Sequence, residues 1–210
     1  MTVICPAILQ DTPEKYKADL DKVTGFAKRI QIDIADGIFT PNNTINLIQV
    51  YWPADVQADL HLMLKEPLKE LETVISLNPS LVIIHAEADG DLVSFFMHIN
   101  QVGIRTGLAF LPQTTVASQK SLIEQVDHVL IFGGTLGSYG GKLDRSCLVK
   151  AKEAKAIKPD LELGWDGGIN EQNAIDVSNA GFDVLNTGGY LQKADDPQVA
   201  YAKLEAVVKG

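Results

Sequence analysis

The chain has 210 residues, 46% apolar and 21% charged, the balance of one soluble globular domain with a sizeable core. Its net charge of −9 at pH 7 works against nonspecific binding to nucleic acid or an anionic membrane surface. No apolar run approaches the ~18 residues of a membrane span. The start, Met1-Thr-Val-Ile-Cys-Pro, lacks the basic region of a signal peptide. Cys5 and Cys147 make no disulfide framework, so a reduced, cytoplasmic setting is expected.

Short apolar runs alternate with helical patterns. Val3 to Leu9 reads as a strand, and Glu14 to Phe26 as a helix opened by Pro13. Arg29 to Ile34 is a second strand, with Ile30, Ile32 and Ile34 on one face and Gln31, Asp33 and Ala35 on the other. A turn-rich stretch leads to a helix-like segment near Ile45 to Val50. Asp59 to Leu64 is strand three, followed by a helix from Pro67 to Ser76. Leu81 to Ala88 is strand four, with a helix from Asp91 to Gln101. Thr106 to Leu111 is strand five, with a helix from Ser118 to Val126. His128 to Gly133 is strand six, with a helix from Asp144 to Ala156. Leu161 to Trp165 is strand seven, with a helix from Glu171 to Asn179. Val184 to Thr187 is strand eight, and Pro197 to Val208 the last helix.

Eight strand–helix units predict an α/β fold with a parallel sheet, closed into a single (β/α)8 barrel over residues 1–210. Function in such a barrel sits at the carboxyl ends of the strands. Ionisable or amide side chains inside parallel strands are anomalous, because buried charge persists only when paired, neutralised or bound to metal. Gln31, Asp33, His61, His85, Glu87 and Asp166 are therefore the default site. Asp36, before Gly37, reads as a structural loop carboxylate. His85 and Glu87 also fit a hydrogen-bonded structural pair, and His98 and His128 are given no role. Lys65 lies just past strand three.

Three glycine-rich loops follow strands six, seven and eight. They contain Ser138-Tyr139-Gly140-Gly141, Gly167-Gly168 and Gly188-Gly189. Successive loops of this kind expose backbone N–H groups that hold a phosphate, and amides do so even in an acidic chain. Lys142 beside them offers a further charge. There is no Walker loop, zinc-finger spacing, nucleophile elbow or dinucleotide fingerprint.

Cys5-Pro-Ala-Ile-Leu, Ile32-Asp-Ile-Ala-Asp-Gly-Ile-Phe-Thr-Pro-Asn, Asp59-Leu-His-Leu-Met, Ile84-His-Ala-Glu-Ala, Tyr139-Gly-Gly and Trp165-Asp-Gly-Gly-Ile-Asn together resemble the ribulose-phosphate 3-epimerase family. The match is collinear from residue 3 to about residue 191. The resemblance implies a (β/α)8 barrel that inverts C3 of a pentulose 5-phosphate, with Asp33 and Asp166 exchanging the proton through an enediolate. It implies a divalent metal (zinc, or iron, manganese or cobalt) held by Asp33, His61 and Asp166, and a small phosphorylated sugar lined by Ala7, Met63 and His85. A homo-oligomer is expected. The sequence departs from the family at several points. Gln31 replaces the first metal histidine, Ala7 a serine, Ala35 and Gly133 two methionines, and Gly189 another serine. An amide oxygen is a weak zinc ligand, so metal binding through Gln31 is expected to be weak or absent. Gly133 is expected to leave the end of strand six open and turnover of ribulose 5-phosphate poor. Two other functions fit the residues. One is a non-catalytic barrel that binds a phosphorylated ligand or a partner subunit. The other is a lyase or aldolase, whose Schiff-base chemistry wants a strand lysine, with Lys65 the nearest.

Overall fold

The computed structural model describes residues 2–134, 136–139 and 141–209. Eight parallel strands close a barrel in sequence order. They are β1 (Val3–Ile8), β2 (Arg29–Ala35), β3 (Gln57–Met63), β4 (Leu81–His85), β5 (Arg105–Phe110), β6 (His128–Phe132), β7 (Glu162–Asp166) and β8 (Val184–Thr187). Around it lie α1 (Pro13–Thr24), α2 (Leu71–Leu77), α3 (Leu92–Gln101), α4 (Lys120–Ile123), α5 (Val149–Ile157), α6 (Ala174–Asn179), α7 (Gly189–Gln192) and α8 (Pro197–Lys209).

The strands follow the apolar runs, and the boundaries that move have local causes. Strand four ends at His85, three residues early, because Glu87 turns away. Its Oε1 accepts from Leu111 N–H at 3.0 Å and from the Thr114 hydroxyl. The segment near Ile45 to Val50 is only a 3-10 turn, Leu47–Gln49, closed by a capping box between Asn46 and Gln49. The helix expected over 118–126 shrinks to α4 behind another 3-10 turn. Asn170 and Asn173 hold the chain in a turn before α6, which therefore starts at Ala174 rather than Glu171. The short α7 is too brief to carry a helical pattern in the sequence.

Outward-facing strand residues such as Ile30, Leu60, Val82, Leu108 and Trp165 are buried in the main core that packs under the helices. Alternate residues point into the barrel, whose interior changes character along its axis. Near the amino ends of the strands, Arg29 makes a two-pronged contact with Glu162 at 2.8 and 2.9 Å and reaches Asp59 at 2.7 Å. His128 Nδ1 meets Glu162 Oε2 at 2.9 Å, which gives His128 a structural place. Burial pushes the Asp59 carboxyl up to about 6 against the pull of Arg29. Burial also pushes Glu162 up, but hydrogen bonds from His128 and Arg29 outweigh it and hold that carboxyl well below its usual range. Leu81, Ile83, Ala109 and Leu130 form a small apolar cluster of their own, with Leu81 beside Asp59 and Ile83 beside His61 in the strand register. The polar residues of the candidate site sit towards the carboxyl ends.

Candidate active site

Strand alternation turns Gln31 and Asp33 of β2, His61 of β3 and Asp166 of β7 inward. Asp33 and His61 are direct register partners. His61 Nδ1 lies 2.8 Å from Asp33 Oδ1 and 3.8 Å from Asp166 Oδ2. Gln31 Nε2 donates to both carboxyls, at 2.9 Å to Asp33 and 2.6 Å to Asp166. One amide nitrogen thus bridges two carboxyls that would otherwise repel. Gln31 Oε1 is buried and has no partner among the described residues.

The Asp166 carboxyl is raised to about 7, first by burial and then by the negative charge of Asp33. Two nearby carboxyls cannot both ionise cheaply, so Asp166 keeps its proton to a higher pH than an ordinary carboxyl. A carboxyl so raised can serve as the acid of an acid–base pair.

Single donor atoms of Asp33, His61 and Asp166 lie within 4.8 Å of one another. Two carboxylate oxygens and an imidazole nitrogen form a donor set that suits a divalent cation. Gln31 does not join them in this arrangement, because it presents its N–H donors to the carboxyls. His85 does not line the cavity as expected. It is fully buried behind His61, with their Nε2 atoms 2.8 Å apart. Phe39 packs on its ring, and its Nδ1 faces Glu87 Oε2 at 3.5 Å. Burial lowers the His85 pKa to about 4, so this histidine is neutral and orients His61 rather than touching a ligand.

The loops after β6, β7 and β8 meet over these residues. Ser138, Tyr139, Gly167, Gly168, Gly188 and Gly189 line the same cavity as Asp33, His61 and Asp166, and Ala7 and Met63 line it too. Gly140 lies outside the described residues. Gly141 is not part of the cavity wall; its carbonyl oxygen faces Gly168. Lys142 is exposed and also outside the cavity. Glycine is required where β6 and β7 give way to loops. A Cβ on Gly167, which has φ +114°, would stand 2.3 Å from Gly134 N. Tyr139 ties the β6 loop to the first strand–helix unit. Its hydroxyl accepts from Leu9 N–H at 2.7 Å and donates to Asp19 at 3.1 Å, and its ring packs on Gly188.

The end of β6 is not open. Gly133 faces outward, where a Cβ would come within 2.2 Å of the Trp165 indole. The inward position is Phe132, one residue earlier, and it lines the cavity. Asp36 is structural, accepting from Ile38 N–H and Phe39 N–H at 2.8 Å and from Lys65 N–H at 2.7 Å. The Lys65 ammonium pairs with Asp89 at 3.0 Å, away from the cavity.

A family profile for ribulose-phosphate 3-epimerases matches residues 3–192. The chain belongs to the ribulose-phosphate 3-epimerase family. It is 31% identical to the ribulose-phosphate 3-epimerase of Bacillus subtilis, over 97% of this chain and 98% of that one. It is 30% identical to that of Helicobacter pylori J99, over 97% of each. Among solved structures, 3-hexulose-6-phosphate synthase from Salmonella typhimurium superposes with a TM-score of 0.76 at 15% identity, covering 99% of both chains. That last likeness shows the barrel fold. No helix among the described residues is long and apolar enough to cross a membrane.

Within this ribulose-phosphate 3-epimerase family member, sequence reasoning missed Asn186 and Phe132 on the cavity wall. Asn186 was visible by the criterion that selected Gln31, a polar residue at an inward position of a parallel strand. Tyr139 and Tyr190, which the sequence offers as aromatic fillers of the space left by Ala35 and Gly133, both line the cavity, Tyr190 from α7.

Proposed function

We propose that this protein inverts C3 of a pentulose 5-phosphate, converting D-ribulose 5-phosphate to D-xylulose 5-phosphate. The observation that supports this best is the pair Asp33 and Asp166, bridged by one Gln31 nitrogen and walled by the glycine loops. One carboxylate removes the proton next to the ketone, leaving an enediolate. The other carboxyl returns a proton to the opposite face of C3. Asp166, with its raised pKa, is suited to deliver a proton, and Asp33 stands across from it as the partner carboxyl. After one inversion the two have exchanged protonation states, so the reverse reaction uses the same pair. Backbone N–H groups of the Gly167-Gly168 and Gly188-Gly189 loops, with the amino end of α7, hold the phosphate. Asp33, His61 and Asp166 would hold a divalent metal, which when bound stabilises negative charge on the enediolate oxygens.

Phe132 and Tyr139 occupy the cavity wall where an opening was expected. A well-walled site favours precise placement of the sugar, and turnover in the ordinary range of ~1–10³ per second is expected. No lysine lines the cavity among the described residues, which speaks against Schiff-base chemistry.

The test is wash-in of solvent deuterium at C3 of ribulose 5-phosphate. Asp33→Asn and Asp166→Asn should each slow it by roughly 10²–10⁴-fold while leaving the fold intact. Undiminished exchange in both variants would place the chemistry elsewhere.

A further inference from the structure

On the wall built by β1 and β8, the lining residues are Ala7, Leu9, Gly188, Gly189 and one polar side chain, Asn186. Asn186 stands between Cys5 of β1 and Asp166 of β7 in the strand register. It is only 2% exposed. Its Oδ1 is buried and has no hydrogen-bond partner among the described residues. Buried amides are nearly always bonded, because burial removes them from water. An amide oxygen left unpaired at the wall of a ligand cavity calls for a partner from the ligand.

We infer that Asn186 is a specificity-determining residue that hydrogen-bonds the hydroxyl on the carbon between the reacting centre and the phosphate-bearing carbon. This rests on the sugar-phosphate reading of the site. Asp166, beside Asn186 in the sheet, addresses the reacting carbon. Gly188, two residues further along the chain, begins the loop that takes the phosphate. In a pentulose 5-phosphate that reacts at C3, the carbon between is C4. A hydroxyl both donates and accepts, and a carboxamide offers both functions, so the two match whichever end of the amide faces the cavity. A site built to bond a hydroxyl rejects an analogue that lacks it, since its own polar group then stays unpaired.

The experiment is calorimetric titration of the full chain with three probes. These are a pentitol 5-phosphate, which has no carbonyl and cannot turn over, its 4-deoxy analogue, and inorganic phosphate. The native protein should bind the hydroxylated probe about tenfold more tightly than the 4-deoxy one, equivalent to ~1.4 kcal/mol. In Asn186→Leu and Asn186→Ser the two probes are also compared. The leucine variant should lose the preference, the serine variant should keep part of it, and the phosphate Kd should stay unchanged in both. A preference that survives in the leucine variant means the hydroxyl is read elsewhere and overturns the assignment. Parallel loss of all three ligands means Asn186 shapes the loops, and also overturns it. If the native protein binds both pentitol phosphates equally, only the role of Asn186 falls. If it binds none of the three probes, the sugar-phosphate reading falls and this role with it.

Discussion

Replacing Gln31 with leucine isolates what the amide does for the two carboxyls. Leucine is close in volume and apolar, so packing is largely conserved. The variant loses two hydrogen bonds to carboxyl groups, at 2.9 and 2.6 Å, each worth about 1.5–3 kcal/mol when the acceptor is charged. It also removes the unpartnered Gln31 Oε1, which returns about 1–3 kcal/mol. The net loss is then about 3 kcal/mol at pH 8, a fall in Tm of roughly 6–12 °C for a chain of this length. The pH dependence follows from Asp166, whose carboxyl is raised to about 7 in the folded protein by burial and by Asp33. Between the ordinary carboxylate range and pH 7 the native state binds more protons than the unfolded state. Its stability therefore falls as pH rises through that window. At pH 5 the protonated Asp166 is a neutral acceptor, so the same substitution should cost only about 1–2 kcal/mol. Thermal melts of both proteins at pH 5 and pH 8, with chelator present, measure the difference. A loss equal at both pH values, or none at pH 8, would refute the bridging role.

Gln31→His exchanges the donor for an imidazole beside Asp33, His61 and Asp166, and should raise affinity for zinc or cobalt. Competition with a chromophoric chelator measures this, and unchanged affinity would mean that the other three groups do not converge on the ion. Gly133→Ala puts a Cβ 2.2 Å from the Trp165 ring and should destabilise the fold by about 1–3 kcal/mol through overpacking. A urea melt that matches the parent would show that Trp165 moves aside freely. Gly168→Ala, at φ +72° and with its Cβ 2.7 Å from Leu143 N, should distort the loop proposed to hold the phosphate. A tenfold or greater loss in inorganic phosphate affinity is expected, and unaltered binding would remove this loop from the phosphate site.

The alternation of apolar runs and helical segments was sufficient for the barrel, because a parallel sheet buried on both faces must be built from short apolar strands joined by helices. The same rule singled out Asp33, His61 and Asp166, since charge inside such a strand needs a reason. Periodicity along one strand says which way a side chain points, but not which side chains from other strands stand opposite. That depends on strand register and barrel closure, which are set by packing across the whole sheet. So the sequence could not show that Gln31 offers its nitrogen to Asp33 and Asp166, that Arg29 and His128 share Glu162, or that His85 stands behind His61. Nor could it show that Trp165 fills the space beside Gly133, leaving Phe132 to face the cavity. One residue of shift at a strand end exchanges inside for outside, and only the tertiary structure resolves that shift.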